Sequence, residues 1–383
     1  HKKKKKIKVQ VAAPAPLLNS TSPRPRRRAP PLPGRKQRPR SARRGRSPGP
    51  CNSTAAKSVP PRKTSSPELM ATPAGSHPAS PPAIPGKAAV AACTAMAVSY
   101  VAVLYAPTLL LRLPPATSLR AFFHRRFVCA AVSSAASVLA TAALLGVWSL
   151  SDSSKALAVF GIRSDHLLEA VVIPLLLTSL VYAGSFVARL WVMSSSCGTD
   201  DDGVGVSCTE KLARWMQTSL QDVMVWRNYV VAPFTEELVF RACMIPLLLC
   251  GGFKMYNIIF LSPIFFSLAH LNHLFELHQQ GCNFMRSLLI VGVQLGYTVI
   301  FGWYAAFLFI RTGNLVPPIV AHILCNMMGL PAFSSPRTRG VTSLAFLAGS
   351  VSFFCLLFPA TSPKLYNARL DGCSCWHGYC RWS

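Results

Sequence analysis

From residue 88 onward the chain alternates long apolar runs with short polar breaks. A helix rises about 1.5 Å per residue, so roughly 20 apolar residues cross some 30 Å of bilayer hydrocarbon. The runs at 88–111, 127–150, 167–193 and 288–310 reach that length, while 316–330 and 344–358 are shorter. Segments 229–250 and 255–271 are apolar except for a few ionisable residues. The pattern predicts an all-α, polytopic membrane protein of about eight transmembrane helices. A soluble α/β enzyme would interrupt its apolar stretches sooner and with more charge. After a polar loop at 194–211, Leu212, Trp215, Met216, Leu220, Val223 and Met224 recur near helical spacing, with Lys211, Arg214 and Gln217 opposite. That spacing fits an amphipathic helix lying at the interface, or the start of another packed helix.

Composition divides the chain further. The formal net charge is +27, yet residues 1–88 hold 21 Lys or Arg and a single acid, Glu68, leaving 19 basic and 12 acidic residues for 89–383. Residues 1–87, with the Lys2–Lys6 tract, Arg26-Arg27-Arg28 and many Ser-Pro and Pro-Pro pairs, read as a disordered basic head. Such a segment buries too little apolar surface to offset its chain entropy. It suits anionic lipid headgroups or nonspecific contact with nucleic acid, and it carries no zinc-ligand spacing or aromatic interleaving that would specify nucleic acid. The chain opens on His1, which either a fragment or an over-extended gene model would account for, and Met70 and Met96 are internal start candidates. Residues 88–360 form the membrane domain and 361–383 a tail whose authenticity is equally open. Arg112, Arg120, Arg125 and Arg126 after the first run favour the cytoplasmic side. The basic head favours the same side, and one spanning helix cannot keep both ends there. Cys129, Cys243, Cys250, Cys325 and Cys355 stand singly in apolar segments, where cysteine behaves as a small hydrophobe.

The chemistry lies in the exceptions to the apolar pattern. An ionisable side chain at bilayer depth costs roughly 2.5–3.5 kcal/mol on insertion scales, so its presence asks for a reason. Glu236 and Glu237 are followed by Arg241; on a helix Glu237 and Arg241 share a face and can pair, leaving Glu236 turned toward something else. Pro233 and Thr235 suit a helix start or kink, whose positive dipole end favours carboxylates. Next come Phe266, His270 and His273, then His322 and Asn326 at i,i+4. Each cluster alone could be a buried network that only positions helices. Three in succession point to one shared polar site.

Glu-Glu-x-x-x-Arg, Phe-x-x-x-His and His-x-x-x-Asn on successive membrane helices resemble the type II CAAX protease family, in its Ras-converting-enzyme branch, over about residues 165–335. The His270/His273 doublet favours the eukaryotic prenyl-protease branch. The resemblance implies an intramembrane catalytic cavity and removal of the C-terminal tripeptide from prenylated CaaX proteins, farnesylated or geranylgeranylated, such as small GTPases, in the endoplasmic reticulum membrane. It also implies roles: Glu236 as general base, His270 as its partner on the attacking water, and His322 with Asn326 as oxyanion donors. Glu237 and Arg241 would support the site, Phe266 would line it, and His273 is a lesser candidate. No cofactor is expected. Glu236, His270 and His322 are also the ligand types of a His₂Glu zinc site, so a zinc-dependent version of the same protease is the rival chemistry. From a different class, a proton-coupled transporter would use buried Glu and His as a relay, although no inverted repeat is evident.

Overall fold

The computed structural model describes residues 84–114, 116–147, 157–196, 208–269, 274, 277, 281, 283–335 and 338–366. Residues 1–83 of the basic head and most of the tail lie outside them, as do His270 and His273. All regular structure among the described residues is helical. The principal helices are α1 (Gly86–Val103), α2 (Leu119–Leu144), α3 (Leu167–Val181), α4 (Ala183–Ser196), α5 (Cys208–Gln221), α6 (residues 223–250), α7 (Met255–Ala269), α8 (Phe284–Thr312), α9 (Val316–Met328) and α10 (Arg339–Ala360).

Within the described residues α1, α2, α8 and α10 are long and apolar enough to cross a bilayer, and α3 with α4 makes a fifth candidate if counted as one bent span. The count of about eight therefore stands at four to five by length and composition. The shortfall has local causes. The apolar run 167–193 is two helices meeting at 78° beside Tyr182. Helices α7 and α9 are apolar but short. In the other direction, the run 344–358 sits inside a helix that extends through flanking Gly, Thr and Ser. Arg120, Arg125 and Arg126 belong to the first turns of α2, which Ser118 caps by accepting from Ala121 N at 3.1 Å.

Helix α6 runs without interruption through the carboxylate motif, so of the two readings of Pro233, a helix start or a kink, the start does not hold. Proline removes one amide donor and crowds the carbonyl four residues earlier. Here a π-helical stretch, Arg227–Val231, precedes it, and a second, Leu238–Cys243, follows the glutamates. The wider turn takes up the irregularity without a break. Asp222 separates α5 from α6 by capping Met224 N at 2.8 Å, so Val223 and Met224 belong to the inner helix and not to the amphipathic one.

The core gathers around α6. Val239, Ala242, Cys243, Met244, Ile245 and Leu247 are fully buried. The C-terminal end of α6 is tied to α1 by Ile84 N donating to Cys250 O at 3.3 Å and by Cys93 Sγ reaching Met244 O at 3.7 Å. Helix α7 packs on α8, α9 on α3 and α8, and α10 on α3 and α4. Polar side chains tie these layers: Thr178 Oγ1 lies 2.9 Å from Tyr304 Oη, and Tyr182 Oη donates to Gly329 O at 2.9 Å. Gly161 has φ +68°, its carbonyl accepts from Leu315 N at 2.9 Å, and a Cβ there would meet the Phe309 ring at 2.7 Å. A side chain at that turn would be both strained and obstructed.

Candidate active site

The site is built on α6 and closed by α9. Glu237 is fully buried and bridges two partners. Its Oε2 lies 3.1 Å from Arg241 Nε, and its Oε1 lies 2.7 Å from His322 Nδ1 on α9. A carboxylate paired with a guanidinium is an acceptor only, so the Nδ1–H of His322 donates to it. That fixes the ring and leaves Nε2 facing the other way, 3.9 Å from Glu236 Oε2. Glu236 is less buried than its neighbour and lines a cavity of about 110 Å³ together with Tyr100, Thr235, Phe240 and Phe266.

Aromatic rings hold this cluster. The Arg241 guanidinium stacks 4.6 Å from the Phe266 ring and 5.8 Å from Phe301, and its two Nη groups have no acceptor among the described residues. Phe301 lies 4.9 Å from the His322 ring and Phe266 lies 6.3 Å from it on the other side. An ion pair among rings, shielded from water, keeps most of its Coulomb attraction. Tyr100 on α1 donates to Thr235 Oγ1 at 2.8 Å, since the threonine's own proton goes to Val231 O at 2.7 Å.

The structure thus brings together Glu236, Glu237, Arg241, Phe266 and His322. Asn326 is one helical turn beyond His322, exposed, and donates from Nδ2 to Asn228 O at 2.9 Å. Its second amide hydrogen has no acceptor among the described residues. His270 and His273 lie outside the described residues. The sequence reading paired Glu237 with Arg241 but missed its bond to His322, because residues 85 apart in the chain leave no periodic signal. It also missed Tyr100, Phe240 and Phe301. A tyrosine isolated in an apolar run is a hint that its hydroxyl finds a buried partner, and Tyr100 carried that hint unread.

Fold and site together define a class: an all-helical, multi-pass membrane protein whose innermost helix carries a carboxylate–imidazole cluster beside a cavity. Known proteins narrow it. A family model described as "Type II CAAX prenyl endopeptidase Rce1-like" matches residues 218–328, the stretch from the end of α5 to the end of α9. The chain is 52% identical to CAAX prenyl protease 2 of Arabidopsis thaliana over 303 residues, covering 77% of this chain and 96% of that protein. It is 36% identical to the human CAAX prenyl protease 2 over 287 residues, 73% of this chain and 83% of the relative. No solved structure matches. The chain belongs to the CAAX prenyl protease 2 family.

Proposed function

We propose that this chain is an intramembrane endopeptidase that removes the last three residues from prenylated CaaX proteins by activating water at Glu236. The observation that carries the reading is the His322 ring held between two carboxylates, 2.7 Å from Glu237 and 3.9 Å from Glu236, of which Glu236 lines a cavity. Glu236, the more accessible acid, takes a proton from water as it attacks the scissile carbonyl. His270 holds that water with it. His322, its Nδ1–H committed to Glu237, donates from Nε2 to the oxyanion in its doubly protonated form. Asn326 adds its free amide hydrogen. One such donor contributes roughly 10²–10³ in rate. Arg241 and Glu237 act through His322 by fixing its orientation, Phe266 packs on that arrangement, and His273 has a lesser part. Glu236 then passes that proton to the amine nitrogen as the C–N bond breaks and the oxyanion collapses to the new carboxyl group, which releases the tripeptide.

Under this reading α7, α9 and the inner α6 also enter the membrane, giving about eight spans. Substrates reach the cavity through the bilayer, because a prenyl chain partitions there and brings its peptide along. They include prenylated small GTPases, and the site of action is the endoplasmic reticulum membrane. No metal takes part.

The test is hydrolysis of a farnesylated CaaX peptide by the protein reconstituted in lipid. Release of the tripeptide, lost in Glu236→Ala and absent for the unmodified peptide, is the expected result. Equal rates on both peptides would remove the prenyl-specific reading, and proton-coupled transport without cleavage would replace the enzyme with a relay. Stoichiometric zinc lost together with activity on chelation would transfer the chemistry to a metal.

A further inference from the structure

The cavity that reaches Glu236 carries two cations that the proposed chemistry does not use. Arg126 on α2 and Arg227 on α6 both line it, both are half-buried, and Glu236 is the only acidic residue among the described residues of its lining. The remaining wall is largely apolar, with Val101, Leu104, Phe127 and Val231. Rings orient the guanidinium groups: Arg227 Cζ lies 5.7 Å from the Phe123 ring and Arg126 Cζ lies 4.6 Å from Phe122. Arg227 Nη1 also donates to Asn228 Oδ1 at 3.3 Å, and two arginines lining one cavity offer an incoming anion charge-assisted hydrogen bonds from two helices.

The spacing says which anion. Arg227 and Glu236 are nine residues apart on α6, at most about 13.5 Å along the helix axis. On an unbroken α-helix nine steps would set them on opposite faces. The π-helical stretch 227–231 changes the phase, and both side chains meet the same cavity. A peptide extends roughly 3.3–3.6 Å per residue, so three residues beyond a scissile carbonyl place the chain terminus about 10 Å away. The attacking water on Glu236 and the reach of an arginine side chain fill the difference.

We infer that Arg126 and Arg227 form a carboxylate anchor that binds the free C-terminus of the substrate and sets the cut three residues from it. This rests on the hydrolase reading above for the position of the scissile bond. Arg227 presents a planar fork matched to a carboxylate, and Arg126 adds a second positive group from α2. Val101, Leu104, Phe127 and Val231 give the same cavity an apolar wall that suits aliphatic side chains.

The experiment compares farnesylated tetrapeptides ending in a free acid with the same peptides ending in a carboxamide. Hydrolysis by the reconstituted protein is read as kcat/KM, and binding is read on the inactive Glu236→Gln protein. Charge-assisted hydrogen bonds to one carboxylate predict an acid-over-amide preference of about 10- to 100-fold in both assays. Arg227→Gln and Arg126→Gln lower that preference toward one, and Arg227→Lys, which keeps the charge without the fork, retains an intermediate value. Equal treatment of acid and amide by the unaltered protein overturns the anchor. So does a loss of rate in the glutamine variants that is the same for both peptides, since that is what mere structural damage produces. Acid preference in binding without any hydrolysis would keep the anchor and defeat the hydrolase reading. Hydrolysis indifferent to the terminus would do the reverse.

Discussion

Helices α6 and α10 are both long and mostly apolar, yet they are turned inside out relative to each other. On α6 the side chains hidden from the surroundings include Glu237 and Arg241, at 0% and 2% exposure. On α10 the side chains most open to the surroundings are large hydrophobes, Leu344 at 68% and Phe354 at 69%. In water this would be an unstable arrangement. In a bilayer the outer face meets hydrocarbon and needs no cover, while charge is tolerated only where other protein groups complete it. Hydrophobicity therefore says where the membrane is, and the polar exceptions say which way is in.

The sharpest way to break this contrast is to unbalance the inner charges. Glu237→Ala leaves Arg241 without its carboxylate and His322 without the group that orients it. Removing one partner of a buried pair costs about 3–5 kcal/mol, so thermal unfolding in detergent should show a strongly destabilised protein that also lacks hydrolytic activity. Replacing both partners, Glu237→Leu with Arg241→Leu, returns most of the stability because no charge is stranded, but it does not return activity, since His322 still lacks its acceptor. A stable Glu237→Ala protein would mean that the pair bears little of the packing around α6.

Those inner residues were the legible part of the sequence. Helical spacing alone placed Glu237 beside Arg241, and their ion pair is 3.1 Å long. Three polar clusters in apolar segments pointed to a shared site; Glu236, Glu237 and His322 bring two of them together, while the histidines of the other lie outside the described residues. What was not legible depends on contacts across long chain separations or on small departures from regular geometry. The Glu237–His322 bond joins helices far apart in the chain. The π-helical stretches of α6 carry no pattern of their own, so Pro233 looked like a beginning and is mid-helix. The span count suffered from the same limit, because the 78° turn at Tyr182 interrupts a run whose composition is continuous.

The contrast can be sharpened at the outer layer, where α10 approaches α3 and α4. A Cβ added to Gly349 would collide with the Leu180 carbonyl and come within 2.8 Å of Ala183 Cβ. Small residues let membrane helices come close enough for dispersion to hold them, since no hydrophobic force drives apolar helices together in lipid. Within an open helical stretch, Gly→Ala gains up to about 1 kcal/mol. At Gly349 that gain is outweighed by overpacking of about 1–3 kcal/mol, so Gly349→Ala should lower the unfolding temperature. Gly292→Ala on α8, where an added Cβ meets nothing within 4 Å, should leave it unchanged or raise it. The pair of variants carries the test: a stabilised Gly349→Ala would mean that α10 is not held at this contact.

The smallest effect belongs to the outward face of α10. Leu344→Ala removes the same atoms as Leu247→Ala on α6, but Leu247 is fully enclosed. Truncating an enclosed leucine leaves a cavity and costs about 2–5 kcal/mol. At Leu344 lipid tails fill the vacated space, and no transfer from water is lost because the side chain was in hydrocarbon in both states. The expected change is within about 0.5 kcal/mol, as for other substitutions away from packed contacts. Thermal unfolding of both variants in the same detergent measures the difference directly. If Leu344→Ala proved as costly as Leu247→Ala, the outer face of α10 would have to be packed against protein, and a second copy of the chain would be the first partner to look for by cross-linking in the membrane.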